Sequence, residues 1–126
     1  MSPPRARFPL ARHRLLRGDF ERIYKLGRRA QGARMAVVVL ENELGRARLG
    51  LSVAKRRHKR AVDRNRVRRL FREAFRLSLA ELPAGVDVVM IAIDSAPVEL
   101  AALRVELAPL VARALRKPPR APREAT

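Results

Sequence analysis

The chain has 126 residues, with 29 Lys and Arg against 12 Asp and Glu, and its formal net charge at pH 7 is +17. This length suits one domain with a single core and is too short for two, and an apolar content of 48% excludes a disordered tail. The absence of cysteine excludes a disulfide scaffold, a Cys-ligated zinc module and an iron–sulfur site.

The amino-terminal segment, residues 1–16, shows no periodic pattern, and we predict that it is irregular. Its basic start lacks the apolar core of a secretory signal. The longest clean apolar run in the chain, residues 35–40, is far shorter than the roughly 18 residues of a membrane span. The sequence therefore predicts a cytoplasmic protein with no membrane partner.

A short first helix is predicted over residues 17–26. Phe20, Ile23 and Tyr24 recur at helical spacing, and acidic residues near the start favour the amino-terminal end of a helix. Gly27 follows the last periodic residue, which is typical of a helix end.

Two strands are predicted after this helix. The apolar, β-branched run at 34–41 predicts a strand buried on at least one face, and the partial alternation at 46–54 predicts a second one. Because turn-forming residues separate the two runs, we expect them to pair as an antiparallel hairpin.

The longest helical pattern covers residues 59–82. Its apolar positions form one stripe, which consists of Val67, Leu70, Phe71, Ala74 and, at the edge, Leu77. The opposite side carries five arginines and an asparagine, namely Arg64, Asn65, Arg68, Arg69, Arg72 and Arg76. Helical geometry therefore predicts that one face packs into a core and the other presents cations.

A buried strand at 86–93 and a last helix complete the pattern. Ser95 is the predicted cap of this helix, and Pro118 lies just beyond its end. With two or three strands after the first helix, the order α-β-β-β-α-β-α predicts an α+β sandwich with one central, mostly antiparallel sheet, of the kind seen in ribosomal proteins. We expect a single domain over residues 17–116, followed by a disordered tail at 117–126.

The positive charge is confined to two segments. Residues 1–34 and 55–76 carry net charges of +8 and +9, whereas 35–54 and 77–126 are neutral. Like charges packed this densely destabilise a compact state unless a polyanion neutralises them, so a nucleic-acid partner is expected. All but four of the basic residues are arginine, which matches phosphate with a planar fork, and no aromatic residue falls on a predicted strand. These features favour recognition of backbone and shape over base stacking.

No catalytic motif stands out. A nuclease that uses His13 and His58 is the enzymatic alternative, but His13 lies in a segment without a structural signal. The carboxylates that a metal-dependent nuclease would need are scattered along the chain. No phosphate-binding loop or dinucleotide fingerprint occurs.

The segment at 61–70 (AVDRNRVRRL) resembles the protein component of bacterial ribonuclease P, a family with an Arg-Asn-Arg core on its long helix. Four further elements resemble the same family: residues 49–56 (LGLSVAKR), residues 72–76 (REAFR), residues 87–89 (DVV), and Asp19-Phe20 with Gly27. The resemblance covers roughly residues 14–115, and the order of elements agrees.

The resemblance implies that a catalytic RNA removes the 5′ leader of precursor tRNA with Mg²⁺, while the protein binds that RNA, guides the leader along a cleft, and holds no catalytic residue or cofactor. The residues it implies for RNA contact are Arg64, Asn65, Arg66, Arg68, Arg69, Arg72, Lys55 and Arg56. Those it implies for the leader cleft are Phe20, Tyr24, Met35 and Val38, although core packing is an alternative for both aromatic side chains.

Two other classes of protein share the basic composition. A ribosomal or RNA-chaperone protein would have the same charge and size without the nuclease partnership. A DNA-binding basic helix usually needs a dimerising heptad, and none follows residue 76, so no DNA partner is expected.

Overall fold

The computed structural model describes residues 14–118, and within them three α-helices and four strands form one α+β unit. The elements are α1 (Arg17–Leu26), β1 (Arg28–Gln31), β2 (Met35–Glu41), β3 (Arg48–Ser52), α2 (Ala61–Ser78), β4 (Val86–Ala92) and α3 (Leu100–Leu115), with a 3₁₀ turn (Leu79–Glu81) after α2. Their order is the predicted one, and the early strand that the sequence did not locate is β1. The predictions for residues 1–13 and 119–126 lie outside the described residues.

The sheet has the strand order β1-β2-β4-β3. β2 is antiparallel to both β1 and β4, and β3 is parallel to β4. The predicted hairpin is therefore wrong, because β4 lies between β2 and β3. The physical reason is burial: the five residues 86–90 are all buried, and a strand buried on both faces is most stable with a neighbour on each edge.

Side chains of the central strands alternate between two layers. Met35 and Val37 of β2 pack with the apolar residues of α2 and α3 in the larger core cluster. Val38, on the other face, packs with Ile23 of α1 and Val89 of β4. The long helix and the first helix therefore lie on opposite faces of the sheet.

The buried surface of α2 is wider than the predicted stripe. Val67, Phe71 and Ala74 are buried as predicted, and Phe75 and Ser78 are buried as well. Since α2 contacts both the sheet and α3, a broader arc of the helix is removed from water than a single contact surface would require.

The last helix begins later than the sequence indicates. Its N-cap position is Glu99, without a side-chain cap, so the prediction that Ser95 caps it is wrong. Asp94 instead accepts a hydrogen bond from the N–H of Ala96 at 2.9 Å, which closes a turn before the helix. Within residues 14–118 no helix is long and apolar enough to cross a membrane.

A buried ion-pair network holds the parallel strands β3 and β4 to the first helix. In it Arg48 of β3 donates to both carboxylate oxygens of Asp87 on β4, at 2.8 and 2.9 Å. The same guanidinium donates to Asp19 of α1 at 3.3 Å, and Asn42 donates to Asp87 at 2.7 Å. Asp87 is fully buried. The hydrogen bond to Asp87 raises the pKa of Arg48 above its ordinary value, against the opposing effect of desolvation.

Substitution of Asp87 by Asn should destabilise the fold strongly. The change keeps the size of the side chain but leaves the charge of Arg48 without its buried partner, and such a loss costs about 3–5 kcal/mol. Urea denaturation followed by circular dichroism measures the difference. The matched control is Glu41→Gln, which removes the ion pair between Glu41 and Arg28. Because the carboxylate of Glu41 is largely exposed, this loss should cost less than about 1 kcal/mol. Equal losses in the two variants would contradict a dominant role for Asp87.

Candidate nucleic-acid interface

Four residues of α2 form a continuous outward surface, which we call the outer stripe: Asn65, Arg68, Arg69 and Arg72. They recur at i, i+3, i+4 and i+7, so they share one side of the helix over about 10 Å of its length. Burial of the opposite side of α2 forces them toward solvent. Within residues 14–118 none of the four side chains forms a hydrogen bond or an ion pair, so three arginine charges on one surface are not neutralised by the described fold.

Arg64, which is also predicted to contact RNA, has a different environment. Its guanidinium donates to the backbone carbonyls of His58 at 3.0 Å and of Lys59 at 2.9 Å. These two carbonyls belong to the basic loop, residues 55–60, which connects β3 to α2. Arg64 therefore holds the basic loop against the first turns of α2, whatever it contacts besides.

Arg76 does not belong to the cationic surface that the helical wheel predicts. The guanidinium of Arg76 donates hydrogen bonds to the carboxylate of Glu73, one turn earlier in the helix. One of them comes from Nε, at 3.1 Å. The hydrogen bond with Glu73 raises the pKa of Arg76 above its ordinary value. The charge of Arg76 is thus partly compensated within the helix, unlike the charges of the outer stripe.

The remaining predicted RNA contacts lie at the start of α2. Lys55 and Arg56 are exposed in the basic loop, and Arg66 is exposed on a different side of α2 from the outer stripe. Arg56 and Arg66 line a common cleft. The structure therefore brings all eight predicted RNA-contact residues onto α2 and the adjoining loop, but it divides them among three environments.

The two aromatic residues of α1 lie side by side on the other face of the sheet. The rings of Phe20 and Tyr24 have centroids 6.4 Å apart and are tilted by 34°. Phe20 is half-buried because its ring lies over Gly50 of β3, where an added Cβ would come within 2.6 Å of the ring. Tyr24 is 40% exposed. Core packing thus accounts for much of the burial of Phe20, whereas the ring of Tyr24 is accessible to a ligand.

Met35 and Val38 do not line one cleft together. They are three residues apart in β2, and an odd spacing places two side chains on opposite faces of a sheet. Met35 is fully buried on the face covered by α2 and α3, so the prediction that it lines the cleft is wrong. Val38 lies under α1 on the face of the aromatic pair, but it is only 4% exposed.

A row of cross-strand neighbours lies on that face near one end of the sheet, and we call it the open row. It consists of Gln31, Ala36, Ile91 and Ser52. Gln31 is exposed, Ile91 and Ser52 are half-buried, and Ala36 is buried. Lys55 follows Ser52 by three residues, so the open row ends at the basic loop.

These features define a class of protein: a single α+β unit whose unpaired arginines on one helix suit it to bind a nucleic acid. The family described as Ribonuclease P matches residues 10–115 of the chain. The chain therefore belongs to the ribonuclease P protein family, and it is the accessory subunit of a ribonucleoprotein endoribonuclease that acts in tRNA processing. Its RNA partner is the ribonuclease P RNA.

Individual relatives agree with this assignment. The ribonuclease P protein component of Yersinia enterocolitica is 37% identical over 112 residues, which is 89% of this chain and 94% of the relative. That of Proteus mirabilis is 39% identical over 84 residues, or 67% of this chain and 71% of the relative.

Solved structures show the same fold. The ribonuclease P protein of Thermotoga maritima superimposes with a TM-score of 0.72 at 31% identity, covering 80% of this chain and 96% of that one. The ribonuclease P protein of Staphylococcus aureus superimposes with a TM-score of 0.69 at 30% identity, covering 81% of this chain and 94% of that one.

Substitution of Arg64 by Ala should loosen the basic loop in the free protein. The N–H groups of Arg57 and His58 bond to the carbonyl of Ala54 at 3.0 and 3.2 Å, so their hydrogen exchange reports whether the loop is closed. Exchange should become roughly tenfold faster, because hydrogen bonds to a charged group contribute about 1.5–3 kcal/mol. NMR-detected exchange measures the effect. Arg68→Ala removes the same charge from the outer stripe and serves as the control; equal acceleration in both variants would argue against a positioning role for Arg64.

Proposed function

We propose that the outer stripe, together with Lys55 and Arg56, binds the phosphate backbone of ribonuclease P RNA. The observation that carries this proposal is the set of arginines that no described residue neutralises, on a surface forced outward by the packing of α2. A guanidinium that makes no internal hydrogen bond keeps its full set of donors for phosphate oxygens.

We further propose that the open row and the exposed ring of Tyr24 receive the 5′ leader of precursor tRNA. Tyr24 offers an aromatic surface on which an unpaired base can stack. Ile91 and Ser52, on the same face of the sheet, provide a partly apolar floor, and the basic loop supplies positive charge where the row ends. This arrangement suits a single strand, whose bases and phosphates are both accessible.

Within this proposal the RNA subunit carries out the hydrolysis. The resemblance assigns Mg²⁺ to the RNA-based reaction, and residues 14–118 bring together no group of three or more metal-ligating side chains. The described part of the chain thus does not fit a magnesium site of that kind, and we assign the metal to the RNA. The contribution of the protein is to bind and orient. A cytoplasmic location stays a prediction from the sequence.

Reconstitution tests the proposal. The protein alone should leave precursor tRNA intact, and its addition to a bacterial ribonuclease P RNA at low magnesium should give 5′-mature tRNA.

Arg68→Ala should weaken binding to that RNA by about 1–3 kcal/mol, because a charge-assisted phosphate contact is lost from an exposed face. If six to ten phosphates are neutralised, log K for the unsubstituted protein should fall with log[salt] with a slope of roughly −4 to −7 for single-stranded contacts.

The control for Arg68→Ala is Arg116→Ala, which removes one positive charge from an exposed position at the end of α3. Equal weakening by the two variants would mean that only net charge matters, and it would contradict a specific role for the outer stripe. Unfolding of Arg68→Ala would instead show that the arginine is structural.

Substitution of Tyr24 by Ala should lower the affinity of the reconstituted enzyme for precursor tRNA by about 1–3 kcal/mol, the usual contribution of one stacked base. The affinity for mature tRNA, which has no leader, should not change. Tyr24→Phe keeps the ring and should retain leader binding. Fluorescence binding measurements with the two tRNA forms check this, and an equal loss for both forms would contradict leader binding at Tyr24.

A further inference from the structure

A cleft of about 570 Å³ lies between the basic loop, the first half of α2 and the loop that follows β4. Its volume is within the range of about 300–1,000 Å³ that is typical of small-molecule sites. On α2 it is lined by Asp63, Arg66 and Leu70, which share a side of the helix distinct from the outer stripe. The cleft is thus a separate feature of the same helix.

One side of the cleft is strongly cationic. Five basic side chains line it: Arg56, Arg57, Lys59, Arg60 and Arg66. Within residues 14–118 none of them forms an ion pair or a side-chain hydrogen bond. The amino-terminal end of α2 adds a partial positive charge, since the side chain of its N-cap residue Arg60 makes no capping hydrogen bond. A phosphate group is the natural occupant of this side.

Another part of the lining is apolar. Val67, Leu70, Pro97 and Val98 line it. An inorganic phosphate ion would leave this wall and most of the volume unused. The ligand that fits must therefore carry a phosphate and an apolar ring of considerable size.

Two further side chains point to the identity of that ring. His58 lines the cleft, is only 8% exposed, and its imidazole makes no hydrogen bond within residues 14–118. Imidazole rings stack on bases in RNA-binding proteins. Asp63 is the one carboxylate in the described lining, where it would repel a phosphate but accept a hydrogen bond from the amino group of a base.

We propose that this cleft binds an unpaired nucleotide of RNA. The phosphate contacts the basic side chains, the base stacks with His58 against the apolar wall, and Asp63 accepts from its exocyclic amino group. Bases with such a group, which are adenine, cytosine and guanine, bind better than uracil. The inference rests on the proposed binding of RNA and adds to it a site that reads one base.

NMR titration of the ¹⁵N-labelled full chain at constant ionic strength tests the site directly. Adenosine monophosphate should give saturable shifts in the amides of both the basic loop and Ser95, Ala96 and Val98. Uridine monophosphate should bind roughly tenfold more weakly, because uracil has no exocyclic amino group and the hydrogen bond to the carboxylate of Asp63 is lost. Inorganic phosphate should shift the basic loop alone. Identical shifts and affinities for all three ligands would overturn the proposal, because they would show a general anion site.

A variant that fills the cleft provides the second arm. Ser95 is an exposed residue of the lining, and Ser95→Trp should block the cleft without changing any charge. The neighbouring residue Ala96 is exposed and outside the lining, so Ala96→Trp is the matched control. Ser95→Trp should weaken binding of adenosine monophosphate and of ribonuclease P RNA by roughly tenfold, the size of one lost stacking contact, and Ala96→Trp should change neither.

The two proposals fail in different ways. If Arg68→Ala weakens RNA binding while Ser95→Trp and Ala96→Trp both bind RNA and nucleotide like the unsubstituted chain, the nucleotide site is overturned and the RNA-binding surface stands. If Arg68→Ala has no effect on RNA binding, the proposed function of the outer stripe fails, and the titration of the free protein with nucleotide still decides the cleft.

Discussion

The bidentate contact between Arg48 and the fully buried Asp87 is the interaction on which the arrangement of the molecule depends. A charge in the interior is tolerated only when its partners are all in place. Here those partners come from β3, from β4, from the loop after β2 through Asn42, and from α1 through Asp19. The network therefore closes only when β4 has inserted beside β3 and the first helix has docked across the sheet. It couples the position of the aromatic pair on α1 to the formation of the parallel strand pair that carries the basic loop.

This use of acidic residues in internal contacts has a consequence for the surface. Asp87 and Asp19 compensate Arg48, Glu73 compensates Arg76, and Glu106 accepts the N–H groups of Arg34 and Met35 at the turn between β1 and β2. Within residues 14–118 the arginines of the outer stripe and the cations of the cleft form no ion pair with a carboxylate. Mutual repulsion among them is a cost to the free protein that a bound polyanion relieves. Ribonuclease P RNA is a polyanion, so its association with the protein supplies the negative charge that neutralises these cations. The electrostatics therefore agree with the family assignment.

The predictability of the site differs from residue to residue. Asn65, Arg68, Arg69 and Arg72 could be assigned to one surface because a helix repeats every 3.6 residues, and that period is visible in the sequence. Arg64 shares the period, but its bonds to the carbonyls of His58 and Lys59 depend on the path of a loop that has no period. Met35 was misassigned because packing decides which face of a strand meets which helix. The first six residues of β2 are all apolar, so the strand carries no alternation to indicate the face. No pattern in the sequence indicates that the basic loop and residues 95–98 line one cleft, because the two segments lie almost forty residues apart.

The sequence by itself determined the three helices and the strands β2, β3 and β4, the cationic side of α2, the concentration of charge in two segments and the resemblance to one family, because each of these follows from neighbouring residues. Only the tertiary structure decided that β4 separates β2 from β3, which of the arginines are free, and that a cleft forms between distant loops. Those outcomes depend on which pairing of distant segments buries both faces of β4 and closes the contact of Arg48 with Asp87. Local periodicity depends on adjacent residues alone, whereas the pairing of distant segments depends on how the whole chain packs.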